Sequence, residues 1–215
     1  MKYIKLKYPT HGLVHLIRKL EDKNEIEKRD KILMDIKKLI YHLDIYTEMG
    51  INRYNEVVGL IDELESINPS EKPISCKKGC SSCCNLLVHV TKSEAMVLAE
   101  EAIKLNVDID KLERQSKISS PDEWFNLSVD DRRCVFLKDN ICTVYDKRPV
   151  YCKKMKVITD PIFCSNDDGK IGHVISLIAE IIHTAFANCK GEIDETVGAT
   201  LSQLTLSILN ERNNK

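Results

Sequence analysis

The stretch Cys76-Lys-Lys-Gly-Cys-Ser-Ser-Cys-Cys84 places four of the nine cysteines of this 215-residue chain within nine consecutive positions. Two cysteines separated by two residues, such as Cys80 and Cys83, can converge on one metal ion from a tight knuckle. Thiolates suit both zinc and iron–sulfur clusters, and the spacing does not choose between them. The stretch therefore predicts a metal centre built from cysteine sulfur.

The adjacent pair Cys83 and Cys84 cannot easily share one position around a metal. Consecutive side chains point to opposite faces of a strand and diverge by about 100° on a helix. A disulfide between neighbours is disfavoured, because the Cα separation across one trans peptide is shorter than a disulfide normally spans. We expect the two thiols to serve different metals or different sides of one cluster.

A second group of cysteines follows further along the chain. Cys134, Cys142 and Cys152 are separated by seven and nine residues, and Cys164 is a candidate eighth ligand. Eight thiols would suit two four-thiolate sites, whose net negative charge favours nearby cations. The basic residues placed for that role are Lys77, Lys78, Arg132, Arg133, Arg148 and Lys153. If Pro149 begins a helix, the dipole of its first turn should favour the thiolate form of Cys152.

Composition predicts a globular chain, with 43% hydrophobic and 30% charged residues. A formal net charge of −1 gives no general case for nucleic-acid binding. The local basic stretch at 147–156 is interpreted as a solvated face. The amino terminus lacks the apolar run of a signal peptide, and no apolar stretch is long enough to span a membrane. We therefore predict a cytoplasmic protein, in which clustered cysteines are more often metal ligands than disulfides.

Hydrophobic periodicity predicts a mainly α fold. Stripes at 32–43 and 57–64 predict two antiparallel helices joined near Gly50. Thr91 and Glu94 form a capping box that opens a helix extending to about Leu105. The remaining predicted elements are a hairpin around Lys138-Asp-Asn, a short helix after Pro149, a long helix at 171–189 and a last helix at 197–208. The expected fold is a helical protein with a compact cysteine-rich metal-binding centre and a short β-hairpin.

The domain organisation follows from a turn-rich segment at 68–75, which contains two prolines. We predict an N-terminal helical region at 1–70, a cysteine-cluster metal-binding domain at 71–168, and C-terminal helices at 169–215 that pack on the rest. The flanking helices are the expected surface for an unidentified protein partner or a second copy of the chain.

Other candidate residues have structural interpretations. His11 and His15 have the spacing of a helical metal pair but no acidic third ligand, so packing is the favoured role. His183 is interpreted as a satisfied buried histidine, and Cys189 as a small core residue. Tyr145 and Arg148 are expected to support the metal centre by packing and hydrogen bonds.

The run from Cys76 to Cys84, followed by Cys134-Val-Phe-Leu and Ile141-Cys-Thr-Val-Tyr-Asp-Lys-Arg-Pro-Val-Tyr-Cys152, resembles the CxxCxxCC cysteine-cluster proteins. That family is described as a zinc- or iron-chelating domain, and the resemblance covers about residues 76–164. It implies as metal ligands Cys76, Cys80, Cys83, Cys84, Cys134, Cys142 and Cys152. Cys164 is the looser match for a late family cysteine. Lys153 stands where the family usually has arginine, so a bidentate donor is absent.

Three functions follow from this resemblance and from the residues themselves. The first is chelation of zinc or iron, the iron as an iron–sulfur cluster, with a structural or redox role. The second is a cluster-dependent protein-modifying enzyme, because some proteins that resemble this family are flagellin lysine N-methylases. The third is a metal-stabilised interaction module. The spacing Cys76-x3-Cys80-x2-Cys83 also matches the cluster motif of radical S-adenosylmethionine enzymes, but the chain lacks the alternating strands and helices of their barrel.

Overall fold

The computed structural model describes residues 6–69, 73–160, 164 and 173–214, the last range without the side chains of 173–175. These residues form a mainly α fold, as predicted. The helices are α1 (His11–Asp22), α2 (Ile26–Tyr46), α3 (Ile51–Ile67), α4 (Lys92–Leu105), α5 (Ile109–Ser116), α6 (Pro121–Asn126), α7 (Val129–Arg132), α8 (Val150–Lys154), α9 (Leu177–Asn188) and α10 (Leu201–Asn213). The strands are β1 (Leu137–Lys138), β2 (Ile141–Cys142), β3 (Met155–Val157) and β4 (His173–Ile175). They form two antiparallel pairs, β1 with β2 and β3 with β4.

Helix α9 lies at the centre of the first core. The predicted helices α2 and α3 are present and meet at Gly50, whose φ of +112° is one that glycine adopts without strain. Their apolar stripes pack together on α9. This core contains Leu43, Val57, Ile61, Ala179, Ile182 and Phe186. The apolar stripes of α2 and α3 are therefore buried against α9, a helix from the C-terminal part of the chain.

A second core joins α4, α5 and α10 to the hairpin. The capping box at Thr91 and Glu94 is confirmed, and α4 ends at Leu105 as predicted. A second capping box, at Thr200 and Gln203, opens α10 and was not recognised in the sequence. Phe136 from the hairpin is fully buried in this core, and Cys134 and Cys142 pack against its edge. The second core thus packs directly beneath Cys134 and Cys142.

The helix predicted at 171–189 begins later than expected. Residues 173–175 pair with β3 instead, in the register Met155↔Ile175 and Val157↔His173. Ser176 then caps α9, its side chain accepting a hydrogen bond from Ala179 N. The pairing is non-local, so the local apolar pattern could not indicate it. The predicted domain boundaries at 70/71 and 168/169 lie outside the described residues and stay predictions.

The basic stretch at 147–156 is not the solvated face that was predicted. Four of its lysines form ion pairs with acidic residues of other helices. The pairs are Lys147–Glu101, Lys153–Asp62, Lys154–Glu180 and Lys156–Glu65. Lys154 is buried. The stretch therefore connects α8, β3 and the turn before them to α3, α4 and α9.

A buried ion pair ties the three regions of the chain together. Arg53 Nη1 of α3 lies 3.0 Å from Glu192 Oε1, and both side chains are almost fully buried. The other carboxylate oxygen of Glu192 accepts a hydrogen bond from Ser93 N at 2.8 Å.

Among the helices that the structure describes, none is long and apolar enough to cross a membrane.

Candidate metal centre

Six of the eight predicted ligands line one pocket on the edge of the second core. These six are Cys80, Cys83, Cys84, Cys134, Cys142 and Cys152. The pocket holds about 70 Å³ of interior space. That is several times the roughly 10–15 Å³ that one water molecule needs. Residues that are 72 positions apart in the sequence, Cys80 and Cys152, therefore share one small cavity.

Short backbone turns present the first cysteines. Gly79 has a φ of +97°, and the following Cys80 N donates to Lys77 O at 3.0 Å. Residues 82–85 form a 3₁₀ turn that carries Cys83 and Cys84. Cys134 N donates to Cys84 O at 2.8 Å, which joins the start of the hairpin segment to this turn. The two cysteine groups are thus held together by backbone contacts.

The predicted hairpin brings Cys134 and Cys142 into the same cavity. Leu137 pairs with Cys142, and the tip residues Asp139 and Asn140 have φ values of +51° and +58°. Asp and Asn tolerate this left-handed conformation, which a tight two-residue turn requires. The tip residues therefore allow the chain to reverse between the two cysteines.

Helix α8 begins after Pro149, as predicted, and carries Cys152. Its position is fixed by Glu94, which is fully buried. Glu94 Oε1 accepts a hydrogen bond from Val150 N at 2.7 Å, while Oε2 accepts one from Thr91 N at 2.7 Å. Burial raises the pKa of Glu94 to about 7. The capping carboxylate of α4 thus also anchors the helix that presents Cys152, which sequence analysis did not foresee.

Trp124 is another supporting residue that sequence analysis missed. Its indole Nε1 donates to Asn85 O at 2.7 Å, one residue after Cys84, and the ring lines the pocket. The segment Ser120-Pro-Asp-Glu123, in which Ser120 caps α6, could have indicated the helix that carries it. Trp124 covers the cysteine turn from the side of α6.

Burial raises the pKa of most thiols in the pocket. The pKa of Cys134 is raised to about 11, and that of Cys152 is raised well above its ordinary value. The prediction that the helix dipole favours a Cys152 thiolate is therefore wrong. Desolvation by burial is the main cause of the raised pKa of Cys152, and the neighbouring Cys134, Cys83 and Cys142 contribute. These thiols stay protonated until a cation replaces their protons.

Cys83 is the exception. A hydrogen bond from the Cys84 thiol lowers the pKa of Cys83 to about 6, and the Arg148 guanidinium contributes. The same interaction raises the pKa of Cys84, the donor of the pair. All cysteines of the described residues are free thiols, including these neighbours. The pocket thus offers one ready thiolate and several thiols that a bound metal cation would deprotonate.

Arg148 is the predicted cation that lines the pocket. Its guanidinium lies 4.1 Å from the centroid of the Tyr145 ring, and Tyr54 OH donates to its carbonyl at 3.2 Å. Lys153 instead pairs with Asp62, and Arg132 lies over the Phe125 ring. Tyr145 and Arg148 therefore stand where a supporting role was predicted for them.

Cys76 and Cys164 lie beside the pocket and do not line it. Cys76 Sγ accepts a hydrogen bond from Val157 N at 3.1 Å, which joins this cysteine to β3. Burial raises the pKa of Cys164, with contributions from Cys76 and Cys80. These three sulfurs are therefore close enough to interact electrostatically. Cys76 and Cys164 therefore lie next to the six, near Cys80.

The structure gathers the cysteines without setting them in coordination geometry. Within the described ranges, no group of three or more Cys, His, Asp or Glu side chains forms a ready metal-ion site. The donor set itself suits a thiophilic metal, since six sulfurs face one cavity beside a guanidinium. The choice of eight ligands stays a prediction. His11 and His15, the candidate metal pair, are both exposed.

These features define a class: a helical protein with a cysteine-rich metal-binding domain. Residues 75–171 match the model of the CxxCxxCC family, described as "Putative zinc- or iron-chelating domain". This match, over 97 of the 215 residues, confirms the resemblance seen in the sequence. No curated protein matches the chain, and no solved structure matches it.

Proposed function

We propose that the cysteines hold zinc or an iron–sulfur cluster, and that this centre fixes the short elements around it. The observation that carries the proposal is the convergence of six thiols on one cavity of about 70 Å³. One ion with four sulfur ligands would leave two of these thiols unused. Two ions or a polynuclear cluster would use them all, together with Cys76 and Cys164.

A structural role is supported by the size of the elements that carry the ligands. They are a four-residue 3₁₀ turn, two strands of two residues each and a helix of five residues. Elements this short have little stability of their own. Metal–thiolate bonds would stabilise them directly, as structural zinc does in small domains.

A redox role is the second candidate, and the number of thiols favours it. Six to eight cysteines suit iron–sulfur clusters at least as well as zinc. The partly buried, partly apolar surroundings and the Arg148 guanidinium would tune the potential of such a cluster. The cluster-dependent modifying enzyme is a special case of this candidate.

The first experiment is anaerobic purification of the full chain, with elemental analysis and an absorption spectrum on the same sample. One or two equivalents of zinc without visible colour would support the structural centre. Iron with sulfide and a broad visible band would support the redox candidate, and electron transfer and methyl-donor binding would then be assayed. Absence of both metals from protein purified and reconstituted with each would contradict the proposal.

The ligand assignment is tested by the double variant Cys80→Ser with Cys83→Ser. We expect it to lose most bound metal, because two sulfurs of the central knuckle are replaced by poor ligands. The matched control is Ser81→Ala with Ser82→Ala, which alters the residues between the two cysteines and no thiol. Unchanged metal content in the double cysteine variant would refute the assignment.

A further inference from the structure

The outward face of α2 carries exposed apolar side chains. On the opposite face of this 21-residue helix, Ile36 and Leu43 are fully buried. On the outward face, Met34, Tyr41 and Ile45 are 45%, 66% and 58% exposed. Single exposed apolar residues are common on protein surfaces, but several along one side of a helix form a patch typical of a protein interface.

These apolar residues belong to a row with the spacing of a coiled coil. Successive members are three, four, three, four and three positions apart, which keeps side chains on one seam between two paired helices. Every member is exposed. Because the spacing is the same when it is read backwards, a second copy that runs in the opposite direction presents a matching row. The row consists of Lys31, Met34, Lys38, Tyr41, Ile45 and Glu48, the last of which follows the end of α2 by two residues.

Antiparallel pairing of two such rows places complementary side chains opposite each other. With the two-fold axis between residues 39 and 40, one pair is apolar, one is a cation facing an aromatic ring, and one is ionic. Each pair occurs twice, because a two-fold interface is isologous. Parallel pairing would instead place each lysine opposite the same lysine of the other copy. The facing pairs are Met34 with Ile45, Lys38 with Tyr41, and Lys31 with Glu48.

The charged residues of the row can make these contacts without breaking a strong one. Among the described residues, neither Lys31 nor Glu48 has an ion-pair partner. Lys38 Nζ lies 3.9 Å from Asp35 Oδ1, and the two side chains are 71% and 52% exposed. Since so exposed a pair contributes little, Lys38 can turn toward an aromatic ring, and its aliphatic stem can cover apolar surface.

We propose that the outward face of α2 binds a second copy of this chain, as an antiparallel pair of α2 helices. None of the six residues in the row lines the cysteine pocket, so dimerisation does not require the proposed metal centre. One face of one helix from each copy is an interface at the small end of the specific range. We therefore expect a dissociation constant of about 10–100 μM.

The test is sedimentation velocity of the purified full chain from about 1 to 200 μM, across the expected dissociation constant. We expect monomer at the low end and dimer at the high end. Ile45→Asp should weaken dimerisation by about tenfold or more, because a charge enters both copies of an apolar contact. The matched control is Ile103→Asp on α4, because the Ile103 side chain is equally exposed, at 59%. Monomer at every concentration, or equal weakening by Ile103→Asp, would overturn the proposal.

The direction of pairing is tested by exchanging charges. Lys31→Glu should weaken dimerisation about fivefold to tenfold at low ionic strength, because it places two carboxylates opposite each other in both halves of the dimer. Adding Glu48→Lys restores opposite charges, so the double variant should dimerise as wild type does. All of the substituted residues are exposed, and circular dichroism and metal content check that the fold is unchanged. A double variant that dimerises as weakly as Lys31→Glu would refute the antiparallel pairing.

Discussion

The helical shell and the cysteine centre of this protein are held together in different ways. The shell consists of helices such as α2 and α3, with 21 and 17 residues, whose side chains Leu43, Val57 and Ile61 are fully buried. The centre consists of turns and two-residue strands whose cysteines are partly exposed. Hydrophobic burial stabilises the shell, whereas the proposed metal–thiolate bonds would stabilise the centre.

Two buried carboxylates join the shell to the centre. Glu192 pairs with Arg53 and accepts from Ser93 at the start of α4. Glu94, one residue further on, accepts from Val150 N at the start of α8. Substitutions that break the contacts of Glu192 or Glu94 therefore test how far the stability of the shell and that of the centre depend on each other.

The largest expected effect is that of Arg53→Met. This change leaves the Glu192 carboxylate buried without its cation, which typically costs about 3–5 kcal/mol of unfolding free energy. Arg53 also donates to Thr47 O and Lys190 O, so the loop contacts around it are lost as well. Denaturant unfolding of the metal-loaded protein at neutral pH measures the loss.

The control for that measurement is Arg114→Met. Arg114 is more than half exposed, and its ion pair with Asp131 spans 3.6 Å. An exposed pair of this kind contributes at most about 1 kcal/mol. A loss at Arg53 no larger than the loss at Arg114 would show that the shell and the centre are not joined through this pair.

An intermediate effect is expected from Glu94, through pH. Its folded pKa of about 7 lies above the ordinary 4.5, so between these values the folded state binds more protons than the unfolded state. Stability should therefore fall as pH rises from 4.5 to 7, by about 2–3 kcal/mol from this group alone. Glu94→Gln should flatten this dependence.

Metal affinity itself increases with pH, because protons leave the thiols. The test is consequently the difference between wild type and Glu94→Gln, measured by thermal or denaturant unfolding from pH 5 to 8. Glu100→Gln, a partly exposed carboxylate of the same helix, is the control. If wild type and Glu94→Gln have parallel pH profiles, Glu94 does not hold its proton in the folded protein.

The same contrast explains which features the sequence could predict. The capping box at Thr91, the hairpin at Asp139 and Asn140, and the helix after Pro149 depend on neighbouring residues, and all were correct. The later start of α9 depends on strand pairing with β3, which no local pattern indicates. The cysteines could be recognised as one set, but their division between the pocket and the neighbouring pair depends on the tertiary fold.

The missed features of the site are also long-range. Lys154 was assigned to a solvated face because its neighbours are basic, yet its partner Glu180 lies on a helix 26 residues away. His183 was expected to be satisfied because it lies next to an apolar stripe; it is buried as predicted, but its Nδ1 has no hydrogen-bond partner among the described residues. A sequence shows that such a residue is buried, but it does not show which atoms approach it.

The smallest expected effect is that of Cys189→Ser, which separates core cysteines from ligand cysteines. Cys189 packs with Val57, Ile182 and Phe186 in the shell, and its Sγ donates to Ala185 O at 3.3 Å. Burial raises the pKa of Cys189 to about 12, so it stays a thiol. Serine keeps the donor and loses apolar contact, at a cost of about 1–2 kcal/mol. Metal stoichiometry should not change.

Cys134→Ser is the matched comparison, because Cys134 is also a cysteine packed against a core but lines the pocket. We expect it to lower metal content, while its effect on the shell stays small. Elemental analysis of both variants distinguishes the two roles. Loss of one metal equivalent in Cys189→Ser would instead make Cys189 a ligand, and the shell would then depend on the metal as the centre does.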